Sequence, residues 1–168
     1  DVRWAGDLPV GQSFQYRYPD SPLQDVRVRR ALNQAIDRDL INESLFRGKG
    51  EIMVRNNYHP TRPAWDPSWE QRFPEAYGYD PQKARELLAE AGYNQNNPLE
   101  TNMMMVNRPE FGGSEDVQEA IVGFWSDVGV KVNMLSWDKA KQSAKSRAWE
   151  LDNHFQIAAT SSHLGLGI

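Results

Sequence analysis

The sequence predicts an α/β fold: a three-layer lobe whose mixed, largely parallel sheet is flanked by helices, with residues 1–168 as one unit. Two observations carry this. The second half alternates strand and helix patterns in the order strand, helix, strand, helix, strand, which is how a parallel sheet with crossover helices is written in sequence. The first half holds sharply amphipathic helices with their own caps, and those need a flat apolar partner to cover.

In chain order, "GQSFQYRY" at 11–18 places Phe14, Tyr16 and Tyr18 on one face and reads as a strand, which "PDSP" breaks. "DVRVRRALNQAIDRDL" at 25–40 follows. Asp25 is a fit N-cap, because its carboxylate accepts from the free N–H groups of a first turn. Val28, Ala31, Leu32, Ala35 and Ile36 then recur at helical spacing as one buried stripe, so Arg27, Arg29 and Arg30 fall mainly on the wet side. Asp37 starts a second short helix carrying Leu40, Ile41 and Leu45, and Gly48 or Gly50 ends it.

Residues 51–79 read as an irregular excursion, dense in proline and in the aromatics Tyr58, Trp65, Trp69, Phe73 and Tyr77. A disordered linker is poor in aromatics, so an ordered surface segment is expected. "DPQKARELLAEAGY" at 80–93 agrees with helix at every position. Asp80 caps, Pro81 opens, Ala84, Leu87, Leu88 and Ala91 face inward, and Gly92 closes. "ETNMMMVN" at 100–107 is apolar on both faces and is expected to be a central strand. A helix over about 114–128 turns Val117, Ile121, Phe124, Trp125 and Val128 inward, and Gly129 ends it. "VKVNML" at 130–135, a helix over about 138–149 and "HFQIAAT" at 154–160 complete the series, with right-handed crossovers expected.

Composition narrows the function. The formal net charge is −4 and the cations are scattered among acids, so no basic stripe for nucleic acid is present. The densest cluster, "KAKQSAKSR" at 139–147, reads as a solvated helix face. With no cysteine, disulfides and thiolate chemistry are excluded. No apolar run reaches the roughly 20 residues of a membrane helix.

Three blocks in order, "SPLQDVRVRRALNQAIDRDLI", "YDPQKARELLAEAGY" and "EAIVGFWSDVGVKVNMLSWDKA", resemble the C-terminal lobe of the family 5 extracellular solute-binding proteins, the peptide, nickel and oligosaccharide receptors of ABC importers. The likeness runs over roughly 12–160. Receptors of that family are about three times longer, so the resemblance implies an excised lobe; the opening "DVRWAGDLPV", without an initiator Met, agrees with a mature or excised end. It implies a periplasmic-binding-protein-like fold and a small solute (peptide, oligosaccharide or opine-like) held in an interlobe cleft. A membrane permease would be the partner, and the location periplasmic or extracytoplasmic and lipid-anchored. No cofactor is implied. The arginine-rich helix corresponds to scaffold.

Ligands of open α/β sheets gather beyond the carboxyl ends of the strands. Those ends hold Asn107 with Arg108, Ser136 with Trp137, and Thr160 through His163. The candidate ligand-binding residues are therefore Asn107, Arg108, Trp137, Ser161, Ser162 and His163, and the resemblance points to the same segments. Asn107 offers a donor and an acceptor. Trp137 offers a flat apolar face, or is a core or hinge-packing indole. Ser161, Ser162 and His163 line the cleft or form an ordinary exit loop. Many peptide-binding members resemble one another in a tryptophan and then an acid after the last strand, the acid pairing with the peptide amine. Here "SSHLGLGI" holds no acid, which turns the expectation toward a solute without a free ammonium.

Catalysis finds no support. His59, His154 and His163 lack metal spacing, and Ser161, Ser162 and His163 are neighbours rather than a converging triad. "FGGSED" at 111–116 lacks the full phosphate fingerprint. A different class of function is a stand-alone protein-interaction domain using the aromatic loop 58–77; the plainer reading of that loop is a segment pinned on its own aromatic cluster.

Overall fold

The computed structural model describes residues 10–14, 21–50, 65–105, 114–148, 150 and 154–159. A single 3-10 turn at Pro22–Gln24 leads into α1, Val26–Gln34, where the Asp25 carboxylate accepts from the Arg27 N–H at 2.8 Å. The stripe read from the sequence is the buried one. Val28, Ala31 and Leu32 are 0% exposed, Ala35 1% and Ile36 6%. Burying each Leu or Val of such a stripe contributes roughly 1.5–3 kcal/mol relative to leaving it in water. α2, Arg38–Phe46, follows on the Asp37 cap (2.9 Å to the Leu40 N–H) and stops at Arg47 and Gly48, both left-handed.

α4, Pro81–Glu90, is capped by Asp80 at 2.8 Å from the Lys83 N–H and packs along α1. It ends at Gly92, whose φ of 93° only glycine adopts without strain. α5, Ser114–Asp127, ends the same way at Gly129. Trp125 of α5 is 0% exposed and donates its indole N–H to the Leu32 carbonyl at 2.8 Å, which ties α5 to α1 through the core.

The strands are β1 (Val10–Phe14), β2 (Glu100–Met105), β3 (Lys131–Ser136) and β4 (His154–Ala159), in one sheet of order β1-β4-β2-β3. β2 runs parallel to both neighbours, while β1 is antiparallel to β4, so the sheet is mixed and largely parallel. β2 is central as expected. Met103 and Met104 are 0% and 1% exposed although they point to opposite faces.

The chain moves from β2 to β3 through α5, then reverses past β2 to β4 through α6, Lys139–Arg147. Parallel connections in one sheet are right-handed, so the reversal puts α5 on one face and α6 on the other.

One expectation needs correction. The stretch 51–79 is not irregular throughout, because α3 occupies Ser68–Tyr77. Its start is fixed by Asp66, whose carboxylate accepts from the Ser68 N–H at 2.9 Å. The aromatics expected to pin a loop instead pair one turn apart: Trp65 meets Trp69 edge-on at 5.6 Å, and Phe73 meets Tyr77 at 5.3 Å. Proline hid this helix, since Pro74 lies inside it and removes one ladder bond. Tyr58 and His59 lie outside the described residues. The arginines of the opening helix lie mainly on its wet side as expected, and two of them also bond to carbonyls there. Arg27 donates to the Glu90 carbonyl at the end of α4 (2.6 Å), and Arg29 donates to the Leu23 and Gln24 carbonyls (2.5 and 2.8 Å).

Candidate functional site

The three parallel strands end at one edge of the sheet. Met105 is paired with Ser136, and Met104 with Gln156, so β2, β3 and β4 all deliver their exits there. The exit of β2 leads to α5 and that of β3 to α6, on opposite faces. Two neighbouring strands whose connections diverge leave a crevice between them, the usual ligand position in such sheets.

Trp137 is the first residue past β3. The turn behind it is short. The Asp138 carboxylate accepts from the Lys141 N–H at 2.8 Å and its carbonyl from the Gln142 N–H at 3.0 Å, so α6 begins at once and holds the indole at the strand's end. Trp137 is half-buried, and the Lys141 ammonium stands 5.0 Å from the centroid of its ring. That distance is a cation–π contact. The first side chain past β3 is thus an aromatic plate with a positive charge over it.

Of the six candidates, Trp137 is the one the described residues place. Asn107, Arg108, Ser161, Ser162 and His163 lie outside them, although Met105 and Ala159 bring the chain to the same edge just before those positions. Lys141 belongs to a basic run read as a solvated face and is exposed as read, but its contact with the Trp137 ring was not anticipated. Its spacing of four from Trp137 along a helix start was the available signal.

Below the edge, β2 and β3 are joined side chain to side chain. Asn133 donates to the Asn102 carboxamide oxygen at 3.2 Å, and Lys131 pairs with Glu100 at 3.5 Å. Behind β2, Gln118 of α5 is 0% exposed and donates to the Met104 carbonyl at 2.6 Å. That bond anchors α5 directly to the strand whose exit forms one side of the crevice. Among the described residues, no three histidine, aspartate or glutamate side chains converge as a metal site would require.

Residues 8–163 match the family model described as "Bacterial extracellular solute-binding proteins, family 5 Middle". The chain is 35% identical over 133 residues to heme-binding protein A of Haemophilus influenzae, covering 78% of this chain and 23% of that protein. It is 31% identical over 131 residues to the dipeptide-binding protein of Escherichia coli K12, again covering 78% and 23%. Among solved structures, the oligopeptide-binding protein OppA aligns with a TM-score of 0.71 at 26% identity, over 90% of this chain and 25% of that one. The chain therefore spans about a quarter of the length of these relatives. With nearly the whole sequence inside the family match, this chain belongs to the bacterial extracellular solute-binding proteins of family 5.

Proposed function

We propose that this chain is one lobe of the solute-capture subunit of an ABC importer, and that its strand-end crevice is one wall of an interlobe cleft. The observation that carries the reading is Trp137, held half-buried at the shared carboxyl edge where the exits of β2 and β3 diverge. Family membership supports the class of function, solute binding, because the matched model describes solute-binding proteins. Asn107 and Arg108 follow β2 in the sequence, and Ser161, Ser162 and His163 follow β4; these are the further residues proposed to line the cleft. Closure of two lobes over a solute is a population shift toward the closed form, which then delivers its load to a membrane permease. The location is periplasmic, or extracytoplasmic on a lipid anchor.

Relatives take their names from heme and dipeptides, and one solved neighbour, AgaA, is described as in complex with agropinic acid. For this chain the solute is a peptide, an oligosaccharide or an opine-like compound. The absence of an acid from 160–168 favours one without a free ammonium.

Native mass spectrometry of the full-length polypeptide, purified gently from its own source, tests the reading. The expected result is a protein carrying one small solute, while the 168-residue chain alone binds that solute weakly or not at all. A full-length polypeptide that carries nothing, or submicromolar binding by the lone chain, would contradict a cleft shared between lobes.

A further inference from the structure

We propose that Lys141 and Trp137 form an anion-selecting corner of the site, so that the solute presents a carboxylate or another anionic oxygen group beside a flat or apolar part. This rests on the strand-end crevice being the solute site, and it names the chemistry that crevice takes.

Three other described lysines are met by carboxylates, whereas exposed Lys49 after α2 is met by none of the described ones. Lys83 pairs with Glu86 at 3.4 Å, Lys131 with Glu100 at 3.5 Å, and Lys145, one turn beyond Lys141 on α6, with Glu150. No described carboxylate lies within ion-pair distance of Lys141; its ammonium instead stands over the Trp137 ring. The acid closest in sequence, Asp138, is committed to the Lys141 backbone N–H as the cap of α6.

A ring face attracts an ammonium but accepts no strong hydrogen bond from it. The contact therefore parks the charge at the sheet edge and leaves its N–H donors for an oxygen acceptor arriving in the crevice. Pinning by the indole also removes much of the rotamer freedom a lysine ordinarily loses on binding, a preorganisation that favours the anion.

The surrounding charge agrees. α6 carries Lys139, Lys141, Lys145 and Arg147 and no acid. Asp138, the acid just before this helix, is spent on capping it, so the balance of charge beside Trp137 is positive and favours an anion over a bare ammonium.

The test compares the full-length wild-type polypeptide with its Lys141→Met and Lys141→Arg variants, expressed in the same host. Co-purified solute is identified by mass spectrometry. Binding of three acid and amide pairs is then titrated calorimetrically: glucuronate with glucuronamide, N-acetylphenylalanine with its amide, and alanylalanine with its amide. The expected solute bears a carboxylate, phosphate or sulfate. Lys141→Met lowers affinity for it, and for any acid that binds, about tenfold to a hundredfold, while amides are unaffected and Lys141→Arg restores most of the loss. Thermal melting of Lys141→Met should match wild type, since the side chain is exposed.

A neutral or cationic natural solute overturns the inference and leaves the receptor reading intact. So does an anionic solute held equally well by Lys141→Met. A wild-type polypeptide that carries no solute and binds neither member of any pair overturns both.

Discussion

Arg38 shows what guanidinium groups do in this lobe. It donates to the Tyr77 carbonyl ending α3 at 2.9 Å, to the Asn33 carbonyl near the end of α1 at 3.0 Å, and to the Ile36 carbonyl at 3.3 Å. Arg27 and Arg85 do the same for the last carbonyls of α4 and α5, at 2.6 and 3.1 Å. Helix C-termini carry partial negative charge and unpaired carbonyls, so a fixed cation there answers both. Burial pulls the Arg38 guanidinium below its ordinary value, but arginine remains charged throughout the working range. Arg38→Met should cost about 2–4 kcal/mol in urea unfolding, because three carbonyls lose a donor at once. Arg30→Met, exposed on α1, should stay within about 0.5 kcal/mol. Equal effects would show that exposed charge, not capping, is what these arginines contribute.

Asp25 carries a pH dependence. Hydrogen bonds from the Arg27 guanidinium, three of them between 2.5 and 3.1 Å, hold its carboxyl below the usual value. A carboxylate with a depressed folded-state value stabilises above its unfolded value of about 3.9, and that contribution is lost as pH falls through the lower, folded one. Acid unfolding curves should therefore steepen below about pH 4, and Asp25→Asn should flatten that part of the profile. Identical slopes in the two proteins would remove Asp25 from the account.

At the scale of elements, α1 and α4 were legible because apolar side chains at helical spacing and acidic N-caps agreed at every position. β2 was legible as central because three consecutive methionines leave neither face polar. α3 was not legible: three prolines lie within 63–74, and proline is the strongest local argument against helix. Local pairing of aromatics one turn apart and the long-range bonds from Gln34 and Arg38 to its last turn hold the helix. The end of α3 is set by space rather than conformation. A Cβ on Gly78 would stand 2.5 Å from the Pro74 carbonyl oxygen, the atom that already receives the Gly78 N–H at 3.0 Å. Gly78→Ala should cost about 1–3 kcal/mol, the range for forced overpacking, measurable as a lower urea midpoint. No change would mean that α3 shifts freely, against its ties to Arg38 and to Gln34, which donates to the Glu75 carbonyl at 2.8 Å.

For the molecule as a whole, sequence pattern conveyed the layers but not the strand order. Which strand lies beside which is decided by pairings far apart in the chain, such as His154 opposite Asn102, and local periodicity carries no trace of them. That order matters most for function, because the reversal from β3 past β2 to β4 sends two neighbouring exits to opposite faces. The candidate site was legible to the same depth. The position of Trp137 at the strand-end edge followed from its place after a strand, whereas the spacing of four hinted at the Lys141 contact and the turn geometry fixed it.

The central claim is that solute binds at the carboxyl edge of the sheet against Trp137. The most direct measurement is fluorine NMR of the full-length polypeptide labelled with 5-fluorotryptophan, before and after its co-purified solute is stripped. Trp137→Phe assigns the resonance among the six tryptophans of this chain. The expected result is a Trp137 signal that moves on solute loss while that of the fully buried Trp125 stays put. A solute that binds and leaves without moving Trp137 would contradict the account.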